Sequence, residues 1–147
     1  MSDSYDFAVR RDDLRNTTLL DAPGEEQEIG EGQILLAVEH FSLTANNVTY
    51  GAMGEAMNYW NFYPAEDESL GRIPAWGYAS VVKSRAGGIE EGSRVFGYFP
   101  MSTHAVLEPG RIRDTGFTDV TAYRADLPAV YNEYRLVQGE RDDERER

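Results

Sequence analysis

The 147-residue sequence contains no cysteine. Disulfide bridges, thiolate zinc sites, iron–sulfur clusters and cysteine nucleophiles are therefore excluded. Histidine is nearly as scarce, because only His40 and His104 occur, and their spacing predicts no metal site. We therefore expect a zinc-independent chemistry that uses no other metal either.

Positive charge and long apolar runs are also in short supply. The chain has 14 basic and 26 acidic residues and a net charge of −12, and a surface of that sign repels DNA and RNA. The longest apolar run, Ile34–Val38, is far shorter than the roughly 20 residues of a membrane helix. Residues 1–6 show neither the basic region nor the apolar stretch of a secretory signal. We expect a cytoplasmic protein with no nucleic-acid partner and no membrane partner.

What is present is typical of a single globular domain built from strands. Hydrophobic residues make up 41% and aromatic residues 12% of the chain, which is enough for one core. Gly77 lies inside a strand pattern and predicts a bulge or a close backbone approach. Apolar and alternating stretches predict these strands: Phe7–Val9, Thr17–Leu20, Gln33–Leu43, Trp76–Ser84, one that ends near Pro100, and Met101–Leu107.

Helices are predicted at two places. Thr44 can cap a short helix over Ala45–Tyr50, and Ala129–Val137 is predicted to be helical. Residues 138–147 form a charged tail or the start of a linker helix. The expected organisation is one domain over residues 1–137, followed by that tail.

Several segments resemble a known superfamily. The zinc-independent medium-chain reductases of the quinone oxidoreductase type are similar over three stretches: Gln33–Gly51, Ile73–Val82 and Glu91–Tyr98. Leu36–Val137 more closely resembles an uncharacterised, quinone-oxidoreductase-like family of the medium-chain dehydrogenase/reductase superfamily. The segments that carry this second resemblance are Leu43–Asn47, Tyr59–Pro64, Gly71–Pro74 and Tyr131–Tyr134. The resemblance implies a mainly β fold, a GroES-like β-barrel with short helices, which in the family precedes a Rossmann domain.

The sequence departs from that family in the nucleotide site. No Gly-x-Gly-x-x-Gly segment follows a strand, so nothing offers a pyrophosphate a glycine backbone and a helix start. We therefore expect the fold to lack the Rossmann domain. NADP or NAD, the cofactor that the resemblance implies, is not expected to bind this chain alone. The implied function is the substrate-side domain of an NAD(P)H-dependent oxidoreductase acting on a carbonyl, an enone or a quinone, and the implied partner is the missing nucleotide-binding domain.

The resemblance also implies where the substrate site lies. Tyr50 is the candidate catalytic residue, because its phenol can donate a proton or a hydrogen bond to a substrate oxygen. The candidate substrate-binding residues are two amides, three aromatic wall residues and two residues at the end of a strand: Asn46, Asn47, Tyr59, Trp60, Phe62, Tyr98 and Met101.

Each candidate has a purely structural alternative. The two asparagines can cap the helix, the aromatic residues can be ordinary core, and Met101 can fill a gap in a barrel. For the whole chain, the alternative is a non-catalytic β-barrel module that binds a small apolar ligand or a partner. A third reading is a homo-oligomer that associates through exposed strand edges.

Overall fold

Strands account for most of the regular structure, as the alternating pattern predicts. The computed structural model describes residues 4–54, 56, 59–125 and 127–137, without the side chains of Ala45, Asn46 and Tyr123. The predicted tail, residues 138–147, lies outside these. The strands and the α-helix of the described part are β1 (Tyr5–Arg10), β2 (Asp13–Asp21), β3 (Ile34–Phe41), α1 (Ala45–Ala52), β4 (Leu70–Gly71), β5 (Pro74–Ser84), β6 (Arg94–Pro100), β7 (His104–Leu107), β8 (Pro109–Arg113), β9 (Gly116–Asp119) and β10 (Glu133–Val137).

The strands form two antiparallel sheets. One has seven strands in the order β7-β3-β5-β6-β10-β9-β8, and the other has three in the order β2-β1-β4. β1 joins the small sheet to the link between β6 and β7, because the Phe7 amide donates to the Met101 carbonyl over 2.9 Å and the Thr103 amide donates to the Tyr5 carbonyl over 2.9 Å. Within the described residues, no helix has the length and apolar character needed to cross a membrane.

The two strongest strand predictions are confirmed as β3 and β5, which pair with each other. Gly77 pairs with Phe41, close to an irregularity in the β3 register between Val38 and His40. A Cβ atom at Gly77 would lie 2.3 Å from the His40 carbonyl oxygen. The glycine is therefore required by the close backbone approach that its place in the strand predicts.

The helix predicted over Ala129–Val137 is wrong. Residues Ala129–Asn132 form a single 3₁₀ turn, and Glu133 begins β10. β10 pairs with both β6 and β9, and its side chains alternate between exposed Glu133 and Arg135 and buried Tyr134. A strand position between two partners satisfies the backbone on both edges, and this long-range pairing outweighs the local helical preference.

Two apolar cores hold the sheets together. The larger lies against the seven-stranded sheet and includes Leu36, Val95 and Phe99. The smaller lies beneath the three-stranded sheet, where Trp60 packs with its neighbours. The Trp60 ring fits because two of the residues that contact it are glycines. A Cβ atom at Gly54 or Gly71 would lie 2.2 or 2.4 Å from the ring.

A buried ion pair ties the second half of the chain together. Arg124 and Asp119 are bonded to each other with side chains that are 1% and 0% exposed. The Arg124 guanidinium also donates to the Phe62 carbonyl and lies 4.7 Å from the Tyr63 ring centre. The Arg124 carbonyl in turn accepts a hydrogen bond of 3.0 Å from the Asn132 amide.

Loss of the negative partner leaves this guanidinium buried without its counter-charge. We expect Asp119→Asn to lower the free energy of unfolding by about 3–5 kcal/mol, as is usual when one member of a buried pair is removed. Urea denaturation of the two proteins measures the difference.

The matched control is Asp12→Asn, which makes the same chemical change in an exposed pair. Asp12 lies 2.9 Å from Arg10, with side chains 71% and 42% exposed. An exposed pair of this kind contributes at most about 1 kcal/mol. Equal effects of the two substitutions would contradict a structural role for the Asp119–Arg124 pair.

Candidate functional site

Four tyrosine rings meet at one edge of the larger core, and we call Tyr50, Tyr59, Tyr98 and Tyr131 the tyrosine cluster. The ring centres of Tyr98 and Tyr131 lie 4.7 Å apart, those of Tyr50 and Tyr59 5.4 Å apart, and those of Tyr50 and Tyr98 5.5 Å apart. Tyr98 is buried and the other three are half-buried. The four rings come from α1, from β6 and from two 3₁₀ turns, so that only the folded chain assembles them.

The start of α1 fixes the place of Tyr50. Asn47 accepts a hydrogen bond of 2.6 Å from the Thr44 amide, and its side-chain NH₂ donates over 3.1 Å to the Pro74 carbonyl. The first bond caps the helix, as the structural alternative for Asn47 expects, and the second ties α1 to β5. Tyr50 follows three residues later on the same helix face, and it packs against both cores.

β5 and β6 supply the other wall of the cluster. Their register sets Trp76 directly across from Tyr98, and the two ring centres are 5.1 Å apart. The Tyr98 carbonyl accepts hydrogen bonds from two buried phenols, Tyr63 over 2.8 Å and Tyr134. This part of β6 is therefore anchored from within the core, and its side chain is held towards the cluster.

The hydroxyl group of Tyr98 is the unusual feature. It is fully buried, and no described residue meets it in good hydrogen-bond geometry, although the hydroxyls of Tyr50 and Tyr131 lie close to it. An unmade hydrogen bond of this kind costs about 1–3 kcal/mol. Buried polar groups without a well-placed partner are rare in folded proteins, and this hydroxyl faces the other phenols of the cluster.

Burial also keeps three of the four phenols of the cluster uncharged. It raises the pKa of Tyr98 far above its ordinary value, and the nearby hydroxyls of Tyr50 and Tyr131 add to the rise. Burial likewise raises the pKa of Tyr59 and of Tyr131. Since the phenols of Tyr59, Tyr98 and Tyr131 stay protonated at neutral pH, they can donate hydrogen bonds to a ligand oxygen but cannot act as bases.

The structure brings some of the eight predicted site residues together and places the others elsewhere. Tyr50, Tyr59, Phe62 and Tyr98 come together, with Phe62 stacked on Tyr59 at 5.8 Å. The other described candidates, Trp60, Met101 and Asn47, are buried elsewhere: Trp60 and Met101 belong to the smaller core, and the Asn47 amide is engaged with the backbone. The side chain of Asn46 lies outside the described part of the chain.

Sequence reasoning missed two members of this site, Trp76 and Tyr131. Trp76 was placed in a strand, but a strand pattern alone does not show which face meets α1. Tyr131 fell in the segment that was wrongly predicted to be helical. Its one sequence signal was the Tyr131–Tyr134 segment, which the family resemblance singled out without giving it a role.

The histidines and carboxylates form no metal centre in the described residues, where no group of three or more such side chains could hold an ion. His40 is exposed and packs against the Tyr78 ring at 5.0 Å. His104 lies 3.0 Å from the Thr103 hydroxyl through its Nδ1 atom. Neither of these contacts involves a residue of the tyrosine cluster.

Comparison with known proteins gives a family and a fold. Residues 41–147 match the family described as "Protein of unknown function (DUF2855)". No curated protein matches the chain. Among solved structures, the crystal structure of CurA from Vibrio vulnificus is similar, with a TM-score of 0.52 over 73% of this chain and 15% sequence identity. The chain spans 31% of the length of CurA, and a likeness at this identity concerns the fold alone.

The unpaired Tyr98 hydroxyl can be tested through stability. We expect Tyr98→Phe to leave the free energy of unfolding unchanged or to raise it by up to about 1 kcal/mol, because it removes a buried polar group that has no partner. Tyr134→Phe is the matched control, since it removes a buried hydroxyl that is bonded to Tyr63 and to the Tyr98 carbonyl. That change should cost about 1 kcal/mol. Urea denaturation compares the two, and a larger loss in Tyr98→Phe would show that its hydroxyl is bonded after all.

The buried phenols also predict how stability depends on pH. Burial raises the pKa of Tyr63 from 10 to about 12, so the unfolded chain loses this proton first as the pH rises. The contribution of Tyr63 is therefore fully present below pH 10 and is lost as the pH rises through 12. Urea unfolding on both sides of pH 10 should show a fall that is smaller in Tyr63→Phe, and an identical fall in both proteins would contradict the prediction.

Proposed function

The chain belongs to the DUF2855 family of proteins of unknown function, and we propose that it acts as the substrate-side domain of an NAD(P)H-dependent oxidoreductase. The proposed fold is the GroES-like β-barrel of the medium-chain dehydrogenase/reductase superfamily. The proposed substrate is an uncharged carbonyl, enone or quinone, and the proposed chemistry uses no zinc.

One observation carries this proposal: four phenols and an indole meet at a single edge of the core. Reduction of a carbonyl or a quinone puts negative charge on an oxygen, and positioned hydrogen-bond donors stabilise that charge. Tyr50 is proposed to donate to this oxygen, because it is half-buried and contacts both Tyr59 and Tyr98. Tyr131 and the unpaired Tyr98 hydroxyl are the further donors.

The shape and charge of the cluster suit a flat, uncharged substrate. The rings of Trp76 and Tyr98 are each inclined by 35° to the Tyr131 ring. A planar molecule is proposed to pack against the faces of these rings. Since burial keeps the phenols neutral, the site holds a neutral substrate without a charged partner.

The residues of this chain do not fit a nicotinamide nucleotide. A dinucleotide fold presents its pyrophosphate to a helix that starts directly after a glycine-rich turn. In the described part of the chain the single α-helix, α1, starts after Thr44 and is preceded by Ser42 and Leu43. We therefore propose that the nucleotide, and with it the hydride, is supplied from a separate nucleotide-binding domain.

Quinone binding tests the role of Tyr50. We expect menadione, an uncharged quinone, to quench the fluorescence of Trp76 in the 147-residue chain. Tyr50→Phe keeps the ring but removes the donor, and it should weaken binding by up to about tenfold, the equivalent of one hydrogen bond. Tyr78→Phe is the control, because it makes the same change on β5 against His40 and Phe96, and it should leave binding unchanged.

The outcomes separate the enzyme from its alternative. Quinone binding that tolerates the loss of the Tyr50 hydroxyl would favour a non-catalytic ligand-binding module. Calorimetric titration of NADPH should show binding weaker than about 1 mM, or about 4 kcal/mol. Micromolar NADPH binding would overturn the assignment of the nucleotide to a separate domain.

A further inference from the structure

A concave region lies between the β1–β2 hairpin and the start of α1. It consists of two adjoining clefts of about 490 and 480 Å³ that share Phe7, Leu43 and Met101. We call this region the apolar cleft. Its floor is formed by Met101 and, on the α1 side, by Ile73, both of which belong to the smaller core.

Exposed apolar side chains surround the apolar cleft. Leu19 on β2 is 64% exposed, Leu43 before α1 is 70% exposed, and Val48 on α1 is 63% exposed. All three line the cleft. A single exposed leucine is ordinary on a protein surface, but three from different elements around one concavity mark a binding site.

Three of the polar side chains that line the cleft are already engaged. The Asn47 amide bonds to the Thr44 amide and to the Pro74 carbonyl. The Ser102 hydroxyl accepts a hydrogen bond of 2.9 Å from Arg72. The Glu39 carboxylate is held by Ser80 and Arg94. A ligand that brought its own charge or donors would leave them without partners, at a cost of about 1–3 kcal/mol for each buried group.

The dimensions indicate what the occupant is. Small-molecule sites measure roughly 300–1,000 Å³, and each half of the apolar cleft falls in that range. Each half is lined by ten residues, three of them shared, whereas a stable protein interface needs about 20–30 residues on each side. The net charge of −12 also opposes contact between two copies of the chain and the approach of an anion.

We propose that the apolar cleft binds an uncharged, hydrocarbon-rich small molecule. The exposed rim takes up its apolar surface, and the absence of free polar groups on Asn47, Ser102 and Glu39 selects against charged or strongly hydrogen-bonding molecules. This site is separate from the tyrosine cluster and does not depend on the proposed oxidoreductase function.

The test uses the uncharged fluorescent probe N-phenyl-1-naphthylamine with the full 147-residue chain. We expect saturable, micromolar binding and a loss of at least tenfold in Leu43→Asp, because the new carboxylate would have to give up water at the rim of the cleft. Leu43 is exposed, so this substitution leaves the cores intact. Val130→Asp is the matched control: Val130 is 61% exposed and does not line the cleft, and its substitution should leave binding unchanged.

Four results would overturn the proposal. The first is probe binding that does not saturate, and the second is equal binding by Leu43→Asp and the unsubstituted chain. The third is a dimer in sedimentation that Leu43→Asp converts to a monomer, which would assign the cleft to a second copy of the chain. Probe binding that is lost in Tyr50→Phe and kept in Leu43→Asp would place the probe in the tyrosine cluster and would likewise exclude the apolar cleft.

Discussion

The tyrosine cluster depends on an ion pair that does not itself belong to it. Arg124, held by Asp119, bonds to the Phe62 carbonyl and through its own carbonyl to Asn132. Tyr59 lies one 3₁₀ turn before Phe62, and Tyr131 immediately precedes Asn132. Two of the four cluster rings are therefore positioned by one buried residue, Arg124, through its guanidinium and its backbone carbonyl. Turns that are anchored by buried hydrogen bonds hold the side chains of a site more rigidly than free turns do.

Arginine suits this position because the anchor must serve several partners at once. Burial of a charge is costly, and the attraction of Asp119 offsets the cost only where the remaining donors are also satisfied. The guanidinium meets that condition by bonding to the Thr121 hydroxyl over 2.9 Å and to the Phe62 carbonyl, with its face over the Tyr63 ring. A lysine has neither the flat face nor the several donors of a guanidinium. It could not bond to Asp119, Thr121 and the Phe62 carbonyl together while packing on the Tyr63 ring.

The parts of the fold that are encoded locally were predictable, and those encoded by distant partners were not. The apolar start of β3 and the Thr44 cap of α1 are properties of a few adjacent residues, and the strand and the capped helix are both confirmed. β10 is a strand because β6 and β9 flank it, and its own sequence does not show those neighbours. Tyr50, Tyr59 and Tyr98 were predicted as site residues because they lie in segments that the family resemblance singles out, whereas the place of Trp76 and Tyr131 in the site depends on neighbours that are distant in the sequence.

α1 is the wall that the tyrosine cluster and the apolar cleft have in common. Val48 and Tyr50 are two residues apart, so they project about 200° apart around the helix, one to the cleft and the other to the cluster. A ligand in the cleft could influence the cluster by moving α1 or the smaller core, against which Tyr50 also packs. The bond from Asn47 to the Pro74 carbonyl fastens the first turn of the helix to β5, and β5 is paired on both edges. The two sites therefore share a helix that is held in place, and each should bind its ligand independently of the other.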